Sequence, residues 1–199
     1  MSIMLRLLIQ FFLLIFFVYF PGLNMQCQSY RFKTYSTAEG LSSYNSEKII
    51  QDRAGFLWIT TQDGINRFDG RNFKVITKTP GVKNSLTQSF ITDEKLDKSG
   101  NIWVASAYGG IDVIDPVKLE LKMHLKHDVK QPKKSLISDW VRVISWIDEN
   151  HLWIGTYTGL NIYNRLTGEI EAITANPFNG AEDLNVCFIN HDSYGNVWI

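Results

Sequence analysis

The sequence predicts an all-β fold made of repeated four-stranded antiparallel sheets, arranged as the blades of an incomplete β-propeller. Three observations carry this. A tryptophan phrase recurs as "FLWITTQDGINRFD", "NIWVASAYGGIDVID" and "HLWIGTYTGLNIYN" and begins again as "NVWI", so that Trp58, Trp103, Trp153 and Trp198 stand 45, 50 and 45 residues apart, the length of one blade. Each phrase reads as apolar strand, glycine turn, apolar strand. The first of its strands is apolar on both sides of the pleat, unlike a sheet with one wet face, so each sheet has to be covered on both sides by its siblings.

Taken in order, residues 1–29 form a segment of their own. Arg6 and the amino terminus precede "LLIQFFLLIFFVYF" (7–20), which Pro21 and Gly22 break. This run is shorter than the ~20 residues of a membrane span and fits a secretory signal peptide, with an uncleaved N-terminal anchor as the alternative. Cleavage after Ser29 would leave Cys187 as the only thiol of the mature chain, so no intramolecular disulfide would form. In "NVCFIN" it is expected to be a small buried side chain.

Residues 30–199 form the second domain. "YRFKTYST" (30–37) is expected to be a strand ahead of the first blade. In the third unit the four strands are expected at 141–147, 151–156, 160–164 and 169–174, with Asp, Asn and Gly in the turns between them. A leucine stands seventeen positions before each of the first three tryptophans, at Leu41, Leu86 and Leu136. An aspartate stands six before Trp58, Trp103 and Trp198, at Asp52, Asp97 and Asp192, and Asp148 stands five before Trp153. The four tryptophans are expected to wedge between blades, and the four aspartates to cap their own glycine turns. Asp93, Glu94 and Lys95 interrupt the first strand of the second unit, which predicts either a short strand or charges facing a water-filled channel.

Composition narrows the function. Twenty Lys and Arg balance twenty Asp and Glu, which removes the electrostatic footprint of a nucleic-acid binder. The four histidines and two cysteines are scattered without metal-ligand spacing, so neither a metal site nor a cofactor is expected.

The runs "TAEGLSS", "IIQDRAGFLWITTQDGINRFDG", "LDKSGNIWVASAYGGIDVIDP" and "WIDENHLWIGTYTGLNIYNRLTG" resemble the two-component-regulator propeller repeat over residues 30–199. Thr60 and Ala105 stand where that repeat has the glycine supplied by Gly155, and "SAYGG" is one residue longer. The resemblance implies the periplasmic sensor part of a hybrid two-component histidine kinase, exported, detecting glycan fragments and controlling polysaccharide-utilisation genes. It implies as partners an oligosaccharide, the remainder of the sensor kinase and a second copy in a homodimer. Since a closed ring takes ~4 to 8 blades, three blades and part of a fourth are expected to be a truncated piece.

Ligand contacts are expected on the variable loops of one face. Between the second and third strands these are Gln62, Asp63, Tyr108 and Tyr157; near the start of each blade they are Tyr44, Phe90 and Trp140. Sugar rings stack on aromatic faces, although packing between blades would also explain the last three. The lysines of 125–135 would suit an anionic glycan or simply a solvated loop. Two rival functions are a sialidase-like enzyme and a protein-interaction scaffold. The first needs an aspartate five before tryptophan and a differentiated set of catalytic carboxylates, and the sequence shows no such set.

Overall fold

The computed structural model describes residues 4, 8–12, 30–82, 85–175, 180 and 184–199. The chain divides into two compact units, Met1–Thr34 and Tyr35–Ile199. In the first, residues 8–12 are helical and exposed. No helix among the described residues is long and apolar enough to cross a membrane. Most of the expected leader, with Pro21 and Cys27, lies outside the described residues.

The second unit contains three four-stranded antiparallel sheets in sequential order. Blade one holds β1 (Ser46–Gln51), β2 (Leu57–Thr61), β3 (Gly64–Phe68) and β4 (Phe73–Ile76). Blade two holds β5 (Ile91–Leu96), β6 (Ile102–Ser106), β7 (Gly110–Asp115) and β8 (Glu120–Leu125). Blade three holds β9 (Val141–Trp146), β10 (His151–Thr156), β11 (Gly159–Asn164) and β12 (Ile170–Ile173), close to the spans expected from the sequence. A fourth sheet has only β13 (Asn190–His191) and β14 (Val197–Trp198). The first strand of each complete blade carries a bulge near its start, between Ser46 and Lys48, Ile91 and Asp93, and Val141 and Val143. A bulge there adds local twist to the strand.

The core lies between the blades. Trp58 packs with Leu86, Ile91, Ile102, Val104 and Ile114 of blade two. Trp103 packs with Leu136, Val141, Ile144, Leu152 and Ile154 of blade three. Trp153 packs against Val186, Ile189 and Val197 of the fourth unit. The landmark leucines Leu86 and Leu136 belong to these seams, which explains their constant offset. Each buried aliphatic or aromatic side chain contributes about 1.5–3 kcal/mol of transfer free energy.

The aspartates explain the other offset. Asp52 Oδ1 accepts the backbone N–H of Ala54 and of Phe56, at 2.9 and 3.0 Å, and its Oδ2 accepts the indole N–H of Trp58 at 2.8 Å. Asp97 repeats this with Ser99, Asn101 and Trp103. Burial pushes the Asp97 carboxyl up, but the Asn101, Trp103 and Ser99 donors outweigh it and hold the carboxyl below its ordinary value. In blade three, where the turn is one residue shorter, Asp148 Oδ2 faces His151 Nδ1 at 2.7 Å. Asp192 caps the N–H groups of Tyr194 and Asn196.

Four expectations are corrected. Residues 30–36 form no strand; Ser36 and Glu39 cap a 3-10 turn at Thr37–Glu39 instead, so the chain at Ser36 is bonded within its own turn and not to a sheet. Cys187 is exposed; residues 184–189 take no ladder, and Val186 and Ile189 supply the buried contacts while Cys187 and Phe188 point outward. Trp198 is 61% exposed where Trp58 and Trp103 are 0% and 2%; among the described residues no further sheet lies over it.

The fourth correction is β5, which is neither short nor wet. It spans six residues and pairs with β6 along its whole length apart from the bulged Thr92, and Asp93 and Glu94 are both buried. Strand alternation sends the two carboxyls to opposite neighbours. Asp93 Oδ2 accepts the N–H of Ile144 in blade three at 2.9 Å, and its Oδ1 accepts from Lys95 Nζ at 3.1 Å. Neither oxygen of Glu94 makes a close hydrogen bond, and the Ile50 N–H across the seam lowers its carboxyl only slightly. Burial pushes its carboxyl up to about 9, with a further push from Asp93.

Candidate functional site

Antiparallel strands place the turn between the second and third strands of every blade on the same face as the crossovers between blades. On that face Tyr108, Trp140 and Tyr157 form one aromatic row. Trp140 stacks on Tyr157 with centroids 4.7 Å apart and planes at 9°. Tyr108 also packs on Trp140, tilted by 36° with centroids 4.8 Å apart. The row joins blade two, which supplies Tyr108, to blade three, which supplies the other two. Tyr108 is 64% and Tyr157 46% exposed.

Local sequence makes the row possible. The N–H of Tyr157 donates to the carbonyl of Trp140 at 3.2 Å, tying the third-blade turn to the run that enters β9. Ala107 repeats this bond with the carbonyl of Phe90 at 3.0 Å. The one-residue insertion in the second-blade turn puts Tyr108 in the left-handed region, at φ 70°. A bulky L-residue there costs about 1–2 kcal/mol. The two glycines that follow cannot be exchanged for it: a Cβ on Gly109 would come within 2.6 Å of Gln88 and Ser106 side-chain atoms, and one on Gly110 within 2.1 Å of the Leu125 carbonyl. The N–H of Gly110 also donates to the carbonyl of Asp139 at 2.9 Å, just ahead of Trp140. An exposed tyrosine is thus held in a strained conformation against a tryptophan of the next blade.

The remaining expected contacts are placed separately. Tyr44, Gln62 and Asp63 belong to blade one, where the Asn45 amide donates to Gln62 Oε1 at 3.4 Å and the Asp63 N–H to Thr61 Oγ1 at 3.1 Å. Phe90 opens blade two and is joined to the row through Ala107. No group of three or more His, Cys, Asp or Glu that could hold a metal occurs among the described residues.

Sequence reasoning missed a set of clamps behind the face. The third strand of each blade carries Asn66, Asp112 or Asn161 at one register position. Each accepts the backbone N–H of the residue after the landmark leucine: Ser42 at 2.8 Å, Thr87 at 2.8 Å and Ile137 at 3.0 Å. A polar residue recurring in an otherwise apolar strand, eight or nine positions after the tryptophan, was the signal.

Fold and surface together define a run of propeller-type blades with an aromatic row across one inter-blade seam. No protein-family model matches the chain. Among solved structures it is similar to the extracellular domain assigned to the hybrid two component system BT4673 of B. thetaiotaomicron, with 25% identity and a TM-score of 0.64 over 79% of this chain and 22% of that one. The domain assigned to BT3049 of the same organism gives 21% identity and a TM-score of 0.53 over 83% of this chain and 28% of that one. Among curated proteins, 66 residues are 36% identical to "Histidine kinase P4" of Formosa agariphila, covering 33% of this chain and 5% of that protein. The chain therefore spans less than a third of each relative.

Proposed function

We propose that this chain is the ligand-reading blade region of an exported, periplasmic sensor of the hybrid two-component type. In this reading it detects oligosaccharides and, through the rest of a sensor kinase acting as a homodimer, controls polysaccharide-utilisation genes. Residues 1–29 are then its export signal, and the blades themselves are non-catalytic. The observation that carries the reading is the Tyr108, Trp140, Tyr157 row. Its faces offer stacking surface for pyranose rings, and its turns offer backbone and hydroxyl groups for their hydroxyls. Similarity to extracellular domains of hybrid two component systems supports the sensor role.

The test is calorimetric titration of the full-length protein with a panel of oligosaccharides, followed by repetition with Trp140→Ala and Tyr157→Ala. The expected result is binding by at least one oligosaccharide, weakened about tenfold or more by either substitution. Silence across a broad panel, or unchanged affinity in both variants, overturns the reading.

A further inference from the structure

Blade two departs from its siblings at the clamp behind Tyr108. Blade one uses Asn66, whose amide also donates to the carbonyl of Ile59 at 3.1 Å, and the residue opposite on β4 is Val75. Blade three uses Asn161, opposite Ala172 on β12. Blade two has an acid, Asp112, and opposite it His124 on β8. The imidazole Nδ1 lies 2.8 Å from Asp112 Oδ1. The neutral clamp of the sibling blades is thus replaced by an ionisable pair. Asp112 is buried, whereas His124 borders a cavity of about 360 Å³ between blades two and three.

The other carboxylate oxygen faces the site. Thr87 donates its backbone N–H to Asp112 Oδ2, and its hydroxyl lies 2.9 Å from that same oxygen and 3.2 Å from the carbonyl of Gly109. A threonine hydroxyl has one proton, so the two acceptors compete for it. Gly109 is the residue next to Tyr108. The corresponding residue of blade three is Ile137, which has no hydroxyl, and in blade one the Ser42 hydroxyl instead accepts from the Asn66 amide at 2.7 Å. The chain from histidine through acid and hydroxyl to turn carbonyl belongs to blade two alone.

We propose that His124 is a positioning residue for the aromatic row, acting through Asp112 and Thr87 on the Tyr108 turn. When the imidazole is charged it compensates the Asp112 carboxylate, and the Thr87 proton goes to the Gly109 carbonyl and holds the turn. When the imidazole is neutral the carboxylate is the stronger acceptor, takes the Thr87 proton and releases Gly109. The ionisable groups around His124 are Asp112 on β7, in contact with its Nδ1, and Lys126, Asp128 and Lys134 of the crossover and Tyr163 of β11, which line the same cavity. Asp112 is the carboxylate in direct contact with the imidazole, whereas Asp128 takes the Lys130 N–H and the Gln131 amide. The coupling makes the geometry of the row depend on the charge of the imidazole.

The inference gives the proposed ligand site a regulator and rests on that reading for its biological meaning, but its test reads the turn directly. Hydrogen–deuterium exchange of the peptide covering residues 106–112 is followed in the full-length protein from about pH 5 to 8, corrected for the intrinsic pH dependence of exchange. The blade-one peptide 60–66, which contributes nothing to the row, serves as the reference. In the wild type, protection of 106–112 relative to the reference falls about three- to tenfold as pH rises. The double variant Asp112→Asn/His124→Val, which installs the blade-one solution, gives a flat ratio. If that variant does not fold, His124→Asn serves instead and is also flat. A flat wild-type ratio, or a pH response that survives in the variants, overturns the inference. Loss of oligosaccharide binding with the pH response intact would overturn only the ligand reading.

Discussion

Glu94 sits in the seam between blades one and two with both carboxyl oxygens buried and without a close hydrogen bond. Burial raises its carboxyl from the ordinary 4.5 to about 9, so the folded state holds a proton that the unfolded chain gives up. The stability associated with this group is therefore full below the ordinary carboxylate range and is lost as pH climbs toward about 9. Glu94→Gln keeps the shape and removes the charge. Its unfolding free energy is expected to lack this slope and to exceed that of the wild type at pH 8 by on the order of 2–4 kcal/mol. Urea unfolding of both proteins at pH 5 and pH 8 checks this, and parallel pH profiles would refute it. Asp93, one residue away, points to the opposite neighbour and accepts the Ile144 N–H and the Lys95 ammonium.

Among the elements, the second-blade turn is where strain and exposure coincide. Tyr108→Gly relieves the left-handed tyrosine but removes one end of the row, so stability is expected to stay within about 1 kcal/mol of wild type. Oligosaccharide affinity is expected to fall about fivefold or more. Thermal unfolding beside ligand titration separates the two effects, and a large stability loss with unchanged affinity would make the residue a scaffold part. The blades were legible in the sequence because Trp58, Trp103 and Trp153, with Leu86 and Leu136, answer to a seam that repeats with the chain. The row was legible only as separate aromatic positions, since the packing of Tyr108 on Trp140 depends on an insertion that changes one turn's path. The depth of Asp93 and Glu94 was not legible at all. What surrounds them comes from blades about fifty residues away, and charges in a strand read locally as exposure.

For the molecule as a whole, stability resides in the seams between sheets. Leu136 is fully buried in the seam that unites Trp103 of blade two with β9 and β10 of blade three. Leu136→Ala is expected to cost about 2–5 kcal/mol and to lower the protection of β6 and β10 together. Hydrogen exchange that weakened one sheet and spared the other would contradict a shared seam. The wedges also have a direction: Trp58, Trp103 and Trp153 each reach toward the sheet that follows them in the chain. On the ribosome, every sheet would accordingly emerge with its indole bare and await the next stretch of polypeptide to shelter it. Assembly is then vectorial, and the interval during which greasy surface is open to chaperones or to neighbouring nascent chains is set by the time needed to translate one repeat.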